Sequence, residues 1–262
     1  MSEIRLIASD LDGTLLQNGA TAVSGEMFGL IRECRTRGIV FAAASGRQYH
    51  SLRGLFAPIA DEIAYICENG ALTMYGEEVL EMARIEPETA QEIIAVIDAD
   101  PEAEPLISDR DYTYIKPKNP AFEEVIRRLG NSYRVVRSFE EITGPIIKIA
   151  LYQASYLGRE EEGQRYWQER MPAPAKVVTS GNAWLDVLFP EIHKGVGIRA
   201  LQRKLGITEQ ETAVFGDNLN DLEMFAAAGR RVAVENAKVP VLEAATAVTP
   251  TVEEYLRDQI LC

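Results

Sequence analysis

Histidine and cysteine are scarce in this chain, with two of the former and three of the latter among 262 residues. Cys34, Cys67 and Cys262 are scattered and form no CxxC pair or Cys/His cluster, which argues against a disulfide framework or a zinc site. Basic residues are also few: 27 Lys and Arg face 40 Asp and Glu, giving a net charge of -13. That field repels a long polyanion, so nucleic acid is not an expected partner. No apolar run approaches the roughly 18 residues that span a bilayer, and the segment Met1 to Gly13 turns acidic too soon for a signal peptide. The expectation is a soluble cytoplasmic protein with reduced thiols and no membrane partner. A G-x-x-x-x-G-K-[ST] loop is missing. Gly195 to Ala200 matches G-x-G-x-x-A, but Pro190 to Lys194 supplies no strand ahead of it, so a dinucleotide fingerprint is rejected.

What is present is ordinary globular material, 47% hydrophobic and 26% charged, enough for one large domain or two small ones. Short apolar runs at Ile4 to Ser9, Ile39 to Ala44 and Ile63 to Ile66 suit buried strands. Ser24 is placed to cap a helix reaching Arg37, and a second helix follows Gly46. The pattern resumes with a helix from Lys194 to Leu205, a strand from Thr212 to Phe215, a helix from Asp221 to Ala228 and a strand from Arg231 to Val234. Such alternation predicts an α/β core: a doubly wound parallel sheet, with helices on both faces. Between about residues 83 and 188 the strands look longer and less buried, at Pro145 to Tyr152, Val177 to Ser180 and Trp184 to Phe189. Helices are predicted at Pro87 to Ala99, Pro120 to Leu129 and Ser155 to Met171. The expected division is a core of 1–82 and 189–262 with an α+β insert of 83–188.

The apolar runs stop at informative places: Asp10, Ser45 and Asp217. In a parallel sheet, successive carboxyl ends share one edge, where ligands bind. Asp10 and Asp12, two apart in an extended segment, would project the same way with Cα atoms about 7 Å apart, and Gly13 lets the chain turn. Two acids at a strand end suit a divalent cation, and one of them suits a nucleophile. Asp98 and Asp100 share the spacing, but they lie in an acidic run and read as solvated surface. Ser45, Gly46 and Arg47 sit where a strand hands over to a helix, as an anion site or a plain helix cap. Asp217 and Asp221 flank a further strand end and can complete a metal site or support one.

Taken together, Asp10 to Leu16, Ala44 to Arg47, Glu68 to Ala71, Lys194-Gly195 and Phe215 to Asp221 resemble the haloacid dehalogenase superfamily, most closely its Cof-type phosphatases. The resemblance covers the whole chain, because the insert falls where that subfamily carries a type IIB cap. It departs from the pattern at His193, where relatives usually place a small residue before the lysine. The resemblance implies a phosphatase that uses Mg2+. Asp10 would be the nucleophile and Asp12 the general acid and base, with the Asp12 main-chain carbonyl also on the metal. Asp10, Asp12, Asp217 and Asp221 form the implied metal set, Asp221 directly or through water. Ser45, Gly46, Lys194 and Asn220 would hold phosphate, Asn69 and Gly70 would line its pocket, and Thr14 would steady the loop. Arg47 receives no role.

The physical logic agrees: a carboxylate is repelled by a phosphate dianion, and a cation plus Lys194 removes that repulsion. His50 and His193 leave a histidine-based phosphatase little to work with, and each is expected to be a packing or surface residue. The implied partner is a small phosphorylated metabolite, such as a sugar phosphate or phosphorylated cofactor, and the protein a monomer or small homo-oligomer. Two alternatives stay open on the same residues: a phosphotransferase or phosphomutase, and a non-catalytic phosphometabolite-binding protein. Lys116, Lys118, Arg127 and Arg128 add positive charge to the insert, for substrate or as a solvated face.

Overall fold

The computed structural model describes residues 3–181 and 183–262. The chain begins with β1 (Leu6–Asp10), α1 (Gly25–Thr36), β2 (Val40–Ala44), α2 (Tyr49–Leu55), β3 (Ala64–Cys67), β4 (Leu72–Tyr75) and β5 (Glu78–Met82). There follow α3 (Pro87–Ala99), β6 (Glu104–Ser108), β7 (Thr113–Ile115), α4 (Pro120–Arg128), β8 (Tyr133–Val135), β9 (Lys148–Tyr152), α5 (Glu160–Gln168), β10 (Lys176–Gly181) and β11 (Trp184–Leu188). The last stretch holds α6 (Lys194–Leu205), β12 (Thr212–Gly216), α7 (Leu222–Phe225), β13 (Arg230–Val234), α8 (Val239–Ala244), β14 (Ala247–Thr249) and α9 (Val252–Tyr255). Two compact units result: the residues up to Glu81 together with His193–Cys262, and Met82–Ile192. No helix among the described residues is long and apolar enough to cross a membrane.

The first unit is built on an eight-stranded sheet in the order β14-β13-β12-β1-β2-β3-β4-β5. Its strands run parallel from β14 to β3, and β4 turns back antiparallel to β3. Strand alternation sends Leu6, Ala8, Ala42, Ala44 and Ile66 to one face, where Ile198 and Leu201 of α6 and Phe225 of α7 complete a core. On the opposite face α1 buries Met27, Ile31 and Cys34, and α2 buries Leu52. The Ser24 side chain accepts from Met27 N at 3.0 Å and so caps α1, which fixes where the chain enters that helix. Small residues crowd the central strands, which lets helices pack close to both faces. The doubly wound α/β architecture expected from the sequence is therefore present.

The second unit has its own six-stranded sheet, β10-β11-β9-β6-β7-β8, antiparallel except where β7 pairs with β8. One face packs Ile107, Ile149, Leu151 and Leu185 against α3 and α5, with Trp167 fully buried. The other carries Leu106, Ile115 and Ala150 beneath Phe122 and Ile126 of α4. Two expectations are corrected here. The strands of this unit are three to six residues long against three to five in the first unit, so only β10 exceeds them and by one residue, and β6 and β7 are wholly buried. Asp98 and Asp100 are not plain solvated surface: Asp98 pairs with Lys116, and Asp100 accepts from the Tyr166 hydroxyl at 3.2 Å.

The extra cations of this unit are also occupied locally. Lys118 Nζ donates to the carbonyls of Asp100 at 2.6 Å and Ala103 at 2.7 Å, in the turn that follows α3. Arg127 and Arg128 form ion pairs with Glu123 and Glu124 along α4.

Candidate active site

Parallel pairing of β12, β1 and β2 places Gly216, Asp10 and Ala44 along one sheet edge. Asp10 ends β1, and Ser45 and Asp217 directly follow β2 and β12. Past Asp10 the chain folds back on itself: Thr14 N and Leu16 N both donate to Leu11 O, at 3.2 and 2.7 Å. Gly13 has φ of 98°, and a Cβ there would lie 2.5 Å from Asp217 Oδ2. Only glycine satisfies both the turn and that close approach. Thr14 Oγ1 donates to Asp217 Oδ1 at 2.7 Å, tying the two loops together.

Lys194 opens α6 and is fully buried. Its Nζ donates to Asp10 Oδ1 and, at 2.7 Å, to Asp221 Oδ1. The second oxygen of Asp221 accepts from the main-chain N–H groups of Asp217 at 3.0 Å and Asn218 at 3.1 Å. Asp221 thus holds the lysine with one oxygen and the start of its own loop with the other. Ligand oxygens of Asp10, Asp217 and Asp221 all lie within 4.8 Å of one another.

The electrostatics are those of a crowded acid cluster. Burial raises the Asp10 carboxyl well above the usual carboxylate range; Lys194 opposes this, while Asp221 and Asp217 add to it. Asp217 is raised as well, by burial first, against the hydrogen bond from Thr14. Burial pulls Lys194 down, but Asp10 and Asp221 outweigh it and raise the lysine above its ordinary value. Three acids around one ammonium leave an excess of negative charge. The donors are hard carboxylate oxygens without sulfur or imidazole, a set that fits a hard divalent cation.

Asp12 stands apart from this cluster. Its exposed carboxylate is held in a fork by Arg47, whose Nη2 lies 2.6 Å from Oδ1 and whose Nε lies 3.0 Å from Oδ2. Sequence reasoning left Arg47 without a role. A signal was available: β1 and β2 run in register, and opposite charges follow at similar distances beyond their ends.

Ser45 is buried, with its hydroxyl accepting from Arg47 N at 3.2 Å. Asn69 is buried, and its Oδ1 accepts from Asn220 Nδ2 at 3.2 Å. Gly46 lies against the Asn69 side chain, and Gly70 lies against the His193–Lys194 peptide. The structure therefore gathers Asp10, Thr14, Lys194, Asp217 and Asp221 by direct hydrogen bonds, and links Ser45, Gly46, Asn69, Gly70 and Asn220 to one another or to the start of α6. His50 is exposed on α2, and its ring neighbour is Tyr49. His193 immediately precedes Lys194, and its Nδ1 is buried without a hydrogen bond.

The family model of haloacid dehalogenase-like hydrolases matches residues 7–255. The chain belongs to this family. A 5-amino-6-(5-phospho-D-ribitylamino)uracil phosphatase of Escherichia coli, YbjI, is 31% identical over 244 residues, covering 92% of this chain and 89% of that protein. Among solved structures, TM0651 from Thermotoga maritima is 30% identical with a TM-score of 0.82, and the match covers 97% of each chain. The haloacid dehalogenase subclass IIB sugar phosphatase BT4131 has the same fold, with a TM-score of 0.82 at 23% identity over 98% of this chain and 100% of its own. This haloacid dehalogenase-like hydrolase is accordingly an enzyme of the phosphatase type, as the resemblance implied.

Proposed function

We propose that the protein hydrolyses a small phosphate monoester with Mg2+, through an aspartyl-phosphate on Asp10. The observation that carries this is the junction of Asp10 with fully buried Lys194 inside a cluster completed by Asp217 and Asp221. Such a site pairs a nucleophilic carboxylate with a fixed cation and has room in its charge balance for a second one. Asp10, Asp217 and the main-chain carbonyl of Asp12 would hold magnesium, which supplies charge neutralisation at the phosphate. Asp221 serves chiefly to hold Lys194, since both its oxygens are engaged.

In the first step an Asp10 oxygen bonds to phosphorus, the ester P–O bond breaks, and Asp12 gives its proton to the leaving oxygen. In the second, Asp12 takes a proton from water as that water attacks phosphorus and the bond to Asp10 breaks, freeing inorganic phosphate. Lys194, Ser45 and Asn220 steady the phosphate oxygens, and Thr14 keeps the Asp10–Asp12 loop against Asp217. Asn69, Gly46 and Gly70 support that pocket.

The second unit, Met82–Ile192, is proposed to act as a cap that selects the substrate. The substrate class is a phosphorylated sugar, polyol or cofactor, consistent with what YbjI acts on by its name. The experiment is a phosphate-release screen over such esters with magnesium present. Turnover of several members, abolished in Asp10→Asn, is expected. Phosphate transferred to an acceptor without release would mean a phosphotransferase, and no turnover of any ester would sink the proposal.

A further inference from the structure

We infer that the turn Glu68–Gly70 is a positioning element, and that its left-handed backbone sets where the Lys194 ammonium stands. The inference rests on the proposed phosphate-holding role of Lys194, but part of its test does not use activity.

Three successive residues of this turn have positive φ: Glu68 at 49°, Asn69 at 57° and Gly70 at 102°. Two of them are not glycine, so the conformation is one the chain adopts against its local preference. Such a backbone persists only where its surroundings hold it, and the surroundings here are the site itself. Glu68 N donates to Arg47 O and Asn69 N to Ser45 O, both at 3.1 Å. Those two bonds fix the segment that carries the buried Ser45 hydroxyl and the guanidinium that forks Asp12. The Asn69 side chain reaches the third loop, accepting from Asn220. It also packs against Gly46, where a Cβ would lie 3.1 Å from Asn69 Nδ2.

The decisive contact is at Gly70. A Cβ on this residue would run into the carbonyl of His193 and lie 2.9 Å from Lys194 N. The backbone at the start of α6 therefore rests directly on the turn. Lys194 is the first residue of that helix, and its ammonium is aimed between Asp10 and Asp221. A side chain at position 70 must push the His193–Lys194 peptide away and swing Nζ off its two carboxylates. The turn thus gathers the segments 45–47, 193–194 and the loop of Asn220 by backbone contacts and one amide. Asn69 and Gly70 act on the phosphate through Lys194, Ser45 and Asn220.

The test uses the full-length protein and two measurements. One is kcat for an ester the enzyme turns over. The other is the rate at which an amine-acylating reagent labels Lys194, read by peptide mass mapping. Gly70→Ala should lower kcat by about a hundredfold, the usual cost of misplacing a reacting group by an ångström. It should also label Lys194 roughly tenfold faster, because a displaced lysine opens more readily to solvent. If Gly70→Ala does not fold, Asn69→Gly and Asn69→Ala decide the matter. Both lose the amide, and they differ in that glycine accepts the left-handed backbone while alanine resists it. Asn69→Ala should be slower than Asn69→Gly and should label Lys194 faster. Equal behaviour of this pair on both measurements overturns the inference. So does a Gly70→Ala enzyme that keeps kcat within roughly threefold, or one that loses activity while Lys194 stays as protected as in the wild type. Should no ester be turned over, the proposed function fails, and labelling alone still decides the role of the turn.

Discussion

The guanidinium of Arg47 occupies both carboxylate oxygens of Asp12, at 2.6 and 3.0 Å. Asp12 cannot give a proton to a leaving group while both oxygens are so engaged, so the fork must open during turnover. An arriving phosphate dianion is a competing partner for Arg47. Arg47→Ala should therefore lower kcat for an alkyl phosphate by about tenfold to a hundredfold through a poorly placed Asp12. A nitrophenyl phosphate, whose leaving group needs little protonation, should suffer less. Arg47→Lys should recover only part of the loss, because an ammonium cannot fork a carboxylate. Equal losses for both esters would mean that Arg47 acts on the phosphate and not through Asp12.

Asp12 itself offers a sharper division. General acid and base assistance is typically worth about 10² to 10⁴ in rate. Asp12→Asn should cripple phosphoenzyme formation from an alkyl ester and damage it less from the nitrophenyl ester. Hydrolysis of the aspartyl-phosphate lacks its base in either case. Rapid mixing with nitrophenyl phosphate should give a burst of nitrophenol, then slow turnover, with label trapped on Asp10. Neither burst nor label is expected in Asp10→Asn. Absence of the burst in Asp12→Asn, with equal losses for both esters, would refute the assigned roles.

The acid cluster makes metal dependence testable apart from chemistry. A chelator should abolish turnover and added magnesium restore it. Magnesium should also raise the melting temperature, since a ligand at a hundredfold excess over its Kd stabilises by about 2.7 kcal/mol. Asp217→Ala should shift both responses to higher magnesium. Full activity in excess chelator would remove the metal from the proposal.

Without metal, stability should depend on pH through Asp10 and Asp217, both raised above the ordinary value of 3.8. A raised carboxyl keeps its proton in the folded state where the unfolded chain has released it. Its contribution is full below the ordinary value and is lost as pH rises through the folded one. Asp10→Asn cannot titrate at that position. In chelator, its melting temperature should gain on that of the wild type as pH is raised from about 4 towards neutrality. Magnesium should narrow the gap. A gap that stays constant with pH would show that Asp10 is not under this strain.

Much of the fold was legible because its strands end in polar residues. Asp10, Ser45 and Asp217 mark the ends of three neighbouring strands, and α3 and α6 span the residues expected of them. The short strands β6, β7 and β8 were not legible, since three to five residues carry too little periodicity and their pairing is set by distant partners. Nor were β14 and α9, which are three and four residues long. Within the site, acids and lysine announced themselves by type and position. The fork between Arg47 and Asp12 was signalled only through the register of β1 and β2, because the pairing itself depends on side-chain direction after two separate turns. The left-handed run at Glu68 and Asn69 was hidden for a related reason: only the Asn-Gly pair hints at positive φ, and tertiary contacts impose the rest.

The sheet order of the first unit also governs when this protein becomes an enzyme during its own synthesis. Strand β1 carries Asp10, yet one of its two neighbours is β12, made some two hundred residues later. Lys194, Asp217 and Asp221 leave the ribosome in that same late stretch. The second unit, by contrast, is one continuous segment, complete before β12 exists. A nascent chain therefore carries its nucleophile through 184 residues of synthesis before the lysine that pairs with it is made. A product truncated before Lys194 keeps Asp10, Asp12 and the Arg47 fork but lacks the lysine and the two later acids of the cluster.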